Sequence, residues 1–195
     1  FGTPQQLKKV NITKINICEA AIYPADVVKD LGVWFNSLLT MTTHINKTSA
    51  SAFFYLYNIR HIRKFLSRQH TEILIHAFIT SRLDYCNSLL YGLPDASIRK
   101  LQRIQNACAR LIYCSPKFCH VTPLLMELHW LPVRQRIAFK LLLITYKSLN
   151  QMAPIYLSDL IFIAQAGRYN LRSSNRGLLL AHPRIRSKKT LADRS

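Results

Sequence analysis

The stretch ASIRKLQRIQNACARLIY, Ala96 to Tyr113, decides the fold. Ile98, Leu101, Ile104, Cys108, Leu111 and Ile112 recur at steps of three and four, which gathers them on one side of an α-helix. Arg99, Lys100, Arg103 and Arg110 take the other side. Just before it, Tyr91-Gly92-Leu93-Pro94 reads as a helix stop, with glycine at the C-cap and proline barring continuation. Upstream, a longer helix is expected from about Met41 to Phe65, with Ile45, Ala52, Tyr55, Leu56, Ile59 and Ile62 along one side. Ser67 is the expected N-cap of the next helix, whose apolar stripe is Ile73, Ala77 and Phe78; no Glu stands at the third helical position, so the capping box is incomplete. Downstream, Pro116, Pro123 and Pro132 punctuate the chain before the most apolar helix, Val133 to Leu149, and Pro154 opens a short helical segment to about Phe162.

The first forty residues read differently. From Lys9 to Cys18 a broken alternation of Val10, Ile12, Ile15 and Ile17 with polar residues marks a half-buried strand. Val27 to Phe35 offers a second, in which Leu31-Gly32-Val33-Trp34-Phe35 is apolar on both faces, and Gly32 admits a close backbone approach or a bulge. The fold class expected is therefore mainly α, with a small N-terminal β remnant over 1–40, a helical domain over 41–163 and a basic, poorly ordered tail over 164–195. That tail carries eight cations from Arg168 to Arg194 against Asp193 alone.

The chain has 195 residues and is 49% hydrophobic, enough to bury a core, and 5 Gly with 8 Pro leave few enforced breaks. Lys and Arg number 27 against 9 Asp and Glu, a formal charge of +18. Solubility alone favours a magnitude of roughly 2 to 8. A polyanion is thus the expected partner, and nucleic acid is the commonest, because each phosphate neutralised releases counterions. Anionic membrane is the rival, with amphipathic helices lying on the lipid surface. No transmembrane span is expected, since the longest apolar stretch, near Ala138 to Tyr146, is interrupted by Lys140 and Thr145. No signal peptide is recognisable at the start, and the chain, opening at Phe1 without Met, reads like an excerpt. Five cysteines, Cys18, Cys86, Cys108, Cys114 and Cys119, with two on predicted helix core faces, suit reduced thiols in nucleus or cytoplasm.

Two-metal nucleotidyl transfer needs carboxylates that hold two cations about 4 Å apart. Of the nine acids only Asp26 and Asp30 are near neighbours in sequence, and they flank a strand start, where a structural or solvated role is expected. Cys114, Cys119 and His120 form a conceivable zinc set with His129, but the spacing is neither knuckle nor finger. No nucleophile, metal or cofactor is assigned. The informative group is Arg60, His61, Arg63, Lys64 and Arg68 beside Tyr55 and Tyr57, which can grip a phosphate backbone. Arg99 and Arg103 extend it. The bland alternative is a solvated helix surface with snorkelling stems.

Several blocks together resemble the non-LTR (LINE-type, jockey-like) retrotransposon polyproteins: VKDLGVWFNSLLTMTTHINK at Val28 to Lys47, SRLDYCNSLLYGLP at Ser81 to Pro94, LQRIQNACARLI at Leu101 to Ile112, ELHWLPVRQRIAFKLLLITYKSLN at Glu127 to Asn150, and RYNLRSSNRGLLL at Arg168 to Leu180. They cover almost the whole chain in the family's order. The resemblance implies that the catalytic aspartate hairpin of the reverse transcriptase, with its Mg2+, lies upstream of Phe1. It further implies that Gly32, Val33, Trp34 and Phe35 are the primer-grip region at the palm's edge. The helices from Met41 would be the thumb and its extension, with Arg60, Arg63, Lys64 and Arg68 facing an RNA/DNA template-primer duplex. The upstream palm and fingers would be partners. The chain departs from the family at Asn36, where Asp is frequent. The alternative kept beside this reading is a free-standing basic helical module that binds RNA or DNA mainly through its tail.

Overall fold

The structure, a computed structural model, describes residues 4–7, Lys9, 14–18 and 20–161. It is mainly helical, with two β-hairpins ahead of the helices. After a single turn, α1 (Pro4–Leu7), come β1 (Ile15–Ile17) and β2 (Ala20–Ile22), paired antiparallel, then β3 (Val27–Asp30) and β4 (Val33–Asn36), also antiparallel. The helices follow as α2 (Thr42–Ile62), α3 (Arg68–Ile75), α4 (Ser81–Asp84), α5 (Asp95–Ile112), α6 (Thr122–Glu127), α7 (Val133–Leu149) and α8 (Ile155–Ser158). The chain divides into two compact units, one of residues up to Cys86 with Leu93–Val133, the other of Asn87–Gly92 with the residues from Arg134 onward.

The single strand expected from Val27 to Phe35 is two strands. Asp30 pairs with Val33, so Leu31 and Gly32 are the whole of the connecting turn, with φ of 43° and 84°. Positive φ at both central positions is the twist-matched type I′ geometry, which explains Gly32 as a turn residue and not a bulge. Nor is β4 buried on both faces: Val33 is buried, whereas Trp34, Phe35 and Asn36 are half-buried. Of the strand expected over Lys9 to Cys18, the described residues include β1, Ile15–Ile17, which is exposed and not half-buried; Val10 to Thr13 lie outside them.

Asn36 turns the chain from β4 towards α2. Its Oδ1 accepts from the Thr40 amide at 2.9 Å and its Nδ2 donates to the Thr40 hydroxyl at 2.8 Å. An amide fills both roles at once; a carboxylate only accepts. Through α2 the buried residues are His44, Ile45, Ala52 and Ile59, close to the expected stripe, with Ile62 exposed at its end. The helix tightens into a 3-10 turn at Arg63–Phe65.

Ser67 caps α3 as expected, its side chain accepting from the His70 amide. The core face of this segment is the opposite of the one expected. Thr71, Ile75, Ile79 and Leu83 are buried, while Ile73, Ala77 and Phe78 face solvent. Two features invisible to an apolar count account for it. Thr71 is burial-competent because its hydroxyl donates to the Ser67 carbonyl at 2.8 Å. A π-helical segment, His76–Thr80, also widens the turn, absorbing the drift that a row spaced at four otherwise accumulates.

Helix α5 packs against α2 and is the centre of the core, with Leu101, Ile104, Cys108 and Ile112 fully buried. Each such aliphatic side chain contributes about 1.5–3 kcal/mol of burial. Gln105 is equally buried, at 2% exposure, and its amide donates to the Leu131 carbonyl at 2.9 Å. Gln102 accepts from the Val133 amide at 2.9 Å, so two glutamines fasten the loop after α6 to α5. Cys108 alone of the five cysteines is buried, so the second core cysteine expected is absent. Burial pushes its thiol up to about 12, which keeps it neutral.

Gly92 has φ of 73° as a stop requires, but it follows a 3-10 turn, Asn87–Leu90, and not an α-helix. In the second unit the Ser158 hydroxyl donates to the Ser148 carbonyl at 3.1 Å, tying α8 back to α7. The expected end of that segment at Phe162 and the basic tail lie outside the described residues. No described helix is long and apolar enough to cross a membrane.

Candidate nucleic-acid interface

The β3–β4 hairpin and the start of α2 place cations around one aromatic ring. In a hairpin with a two-residue turn Lys29 falls opposite Trp34, and its Nζ stands 5.7 Å from the Trp34 ring centroid. Lys47, one turn into α2, brings a second ammonium to 5.6 Å. Both distances are within cation–π reach. The Trp34 amide donates to His44 Nδ1 at 3.4 Å, and burial lowers the His44 pKa, so this imidazole is neutral with its proton on Nε2. At the other end of the hairpin the Tyr85 hydroxyl donates to the Leu31 carbonyl at 2.5 Å. A Cβ on Gly32 would lie 3.2 Å from Tyr85 Cε1. Of the quartet Gly32, Val33, Trp34 and Phe35, then, Gly32 is exposed in the turn, Val33 is core, and Trp34 and Phe35 are half-accessible.

The six basic candidates fall into different situations. Arg60 and Arg103 are exposed, and their side chains make no hydrogen bond or ion pair among the described residues. Lys64 is exposed, with its Nζ 4.8 Å over the ring of Phe65. Arg99 is exposed, its Nε reaching back to the Asp95 carbonyl at 3.4 Å. Arg63 is half-buried and occupied: it donates to the carbonyls of Leu66 at 2.7 Å, Leu111 at 3.1 Å and Ile112 at 2.8 Å. Arg68 pairs with the Glu127 carboxylate at 2.9 Å, stacks 4.1 Å over Tyr113 and donates to its hydroxyl. Burial first, then the hydrogen bond with Glu127, pushes the Tyr113 hydroxyl up, against the pull of Arg68.

Long-range contacts show how the two basic groups are spaced. Lys100 donates to Asn46 Oδ1 at 2.9 Å near the start of α2, and Arg63 reaches Leu111 and Ile112 just past its end. Helices α2 and α5 therefore run in the same direction. Lys100, with Arg99 and Arg103 beside it, stands near the level of Lys47, whereas Arg60 stands about 20 Å and Lys64 about 25 Å further along at 1.5 Å per residue. Cationic charge is strung along the helix pair and not collected in one cluster.

Sequence reasoning missed Lys29, Lys47 and Arg82 as site residues, and placed Lys100 only on the polar side of α5. Strand register would have paired Lys29 with Trp34 once Leu31-Gly32 was read as the turn. Arg82, 4.8 Å over Tyr55 and donating to its hydroxyl at 3.2 Å, carries no signal in its own segment. On the acid side, no three His, Cys, Asp or Glu side chains among the described residues form a group able to hold a metal ion. The arrangement, point charges at intervals with a half-accessible Trp34 at one end and few acids nearby, is chemically complementary to a polyanion.

In comparisons with protein-family models, with curated proteins and with solved structures, the chain matches none.

Proposed function

We propose that this chain is the palm-edge and thumb part of a retrotransposon RNA-directed DNA polymerase, holding template-primer duplex by its backbone while chemistry occurs on residues upstream. The order of the sequence blocks motivates the family. The observation that carries the binding role is the row of cations: Lys29, Lys47 and Lys100 around the start of α2, Arg60 about 20 Å beyond, and Lys64 one turn further. At 3.4 Å per phosphate along a strand, that span matches about six nucleotides. The Tyr85 contact to Leu31 supports the same reading, because it fixes the hairpin that bears Trp34 to the helical part. Among the described residues no third His, Cys, Asp or Glu joins Asp26 and Asp30 in a group that could hold a metal ion, and no step is assigned to one.

The test is fluorescence anisotropy of the whole chain with an RNA/DNA hybrid across a salt series. Six engaged phosphates give log K against log salt a slope of about −5. An affinity that does not change with salt would overturn the proposal. Primer extension with magnesium is expected to yield no product, and chelator-sensitive extension would contradict the non-catalytic role.

A further inference from the structure

The side of α2 that carries Arg60, and Lys64 just beyond its end, also carries exposed aromatic rings. Phe53, Tyr57, Arg60 and Lys64 follow one another at intervals of four, three and four, so they return to one side of the helix, with Phe54 and His61 along its edge. This side stands about 100° around α2 from Ile45, Ala52 and Ile59, which already serve as the core face, while Phe54 and His61 lie opposite that face. Phe53 is 47% exposed, and Phe54 and Tyr57 are each 61% exposed. Neighbouring large rings on the solvent side of a helix mark an interaction surface and not a leftover of packing.

Two of the three rings have aromatic neighbours. Tyr57 meets His61 edge-on at 4.3 Å, and Phe54 meets Tyr55 edge-on at 5.5 Å, with Tyr55 stacked on Phe78 at 5.2 Å. Ordering them in advance removes part of the entropy that binding costs. No Asp or Glu occurs anywhere in α2, so the complementary partner is anionic. Rings and cations alternating on one face match a ligand that alternates flat aromatic groups with negative charges. A nucleic-acid strand has that composition, but a duplex hides its base faces; only an unpaired strand can stack.

We infer that the outer face of α2 binds single-stranded nucleic acid, bases stacking on Phe53, Phe54 and Tyr57 while Arg60 and Lys64 hold phosphates. The inference rests on the nucleic-acid role proposed above and adds a second substrate form to it. The test compares the whole chain with a Phe53→Ala/Tyr57→Ala variant, using a short oligothymidylate, an abasic strand of equal length and an RNA/DNA hybrid. The ionic strength is raised so that diffuse contacts are screened. The variant should bind oligothymidylate about tenfold more weakly or worse, bind the hybrid within about twofold of the parent, and lose discrimination against the abasic strand. Equal loss on both ligands, or unchanged oligothymidylate binding because the rings serve a protein partner, overturns the inference. Binding of oligothymidylate but not of hybrid overturns the duplex role and leaves this one standing; binding of neither removes both. Because both residues are exposed, an unchanged circular-dichroism melt is expected and shows that any loss is local.

Discussion

Arg63 Nη2 donates to the carbonyl of Ile112 at 2.8 Å, across 49 positions of sequence. With Nε on Leu111, whose carbonyl also accepts from the Cys114 amide at 3.3 Å, and Nη1 on Leu66, one guanidinium ties the end of α2 to the end of α5 and places a positive charge at the negative end of the α5 dipole.

Arg63→Ala is therefore expected to destabilise the fold by about 1–3 kcal/mol, since it removes three part-buried hydrogen bonds to the Leu66, Leu111 and Ile112 carbonyls. Arg63→Lys should recover little, because an ammonium lacks the planar fork. Denaturant unfolding of the two variants checks this. Arg63→Lys stability equal to that of the parent would show that charge alone matters.

The β3–β4 turn offers changes of opposite sign. Leu31 holds φ of 43° while 84% exposed, so Leu31→Asn relieves left-handed strain of about 1 kcal/mol without removing buried surface. A melting temperature higher by roughly 2–4 °C is expected. Gly32→Ala combines a φ of 84° with a Cβ 3.2 Å from Tyr85, and should lower it.

His44 makes stability depend on acid. Its pKa is lowered in the fold from 6.5 by burial, so the unfolded chain takes up the proton first. The stability is present above 6.5 and is lost as pH falls through the folded value. His44→Gln should flatten that part of a melting-temperature profile. A variant profile parallel to the parent's would remove His44 as the cause.

For binding, exposed cations should outweigh paired ones. Arg60→Ala and Arg103→Ala are each expected to lower the salt slope on RNA/DNA hybrid by about 1. Arg68→Ala should lower it by less, because Glu127 already balances that charge. Salt titrations of the three variants measure the difference, and equal slopes would mean the Glu127 pair opens on binding.

The sequence by itself determined α2, α5 and α7 and the buried faces of α2 and α5. The steps of three and four from Ile98 to Ile112 are commensurate with one turn, and Ser67 needs only His70, three residues away, to act as a cap. Such features are local, and a local reading finds them. Tertiary structure alone decided which apolar row of α3 faces inward, because Thr71 outranks Ile73 only once its hydroxyl is satisfied and the π turn is in place. It also decided which cations remain available to a ligand. Arg60 and Arg63 are three residues apart and chemically identical, yet one points to solvent and the other closes the end of α5. The reason is physical: the partner of a long charged side chain is set by whatever the fold brings within hydrogen-bond reach, and at 48 and 49 positions no periodicity encodes it.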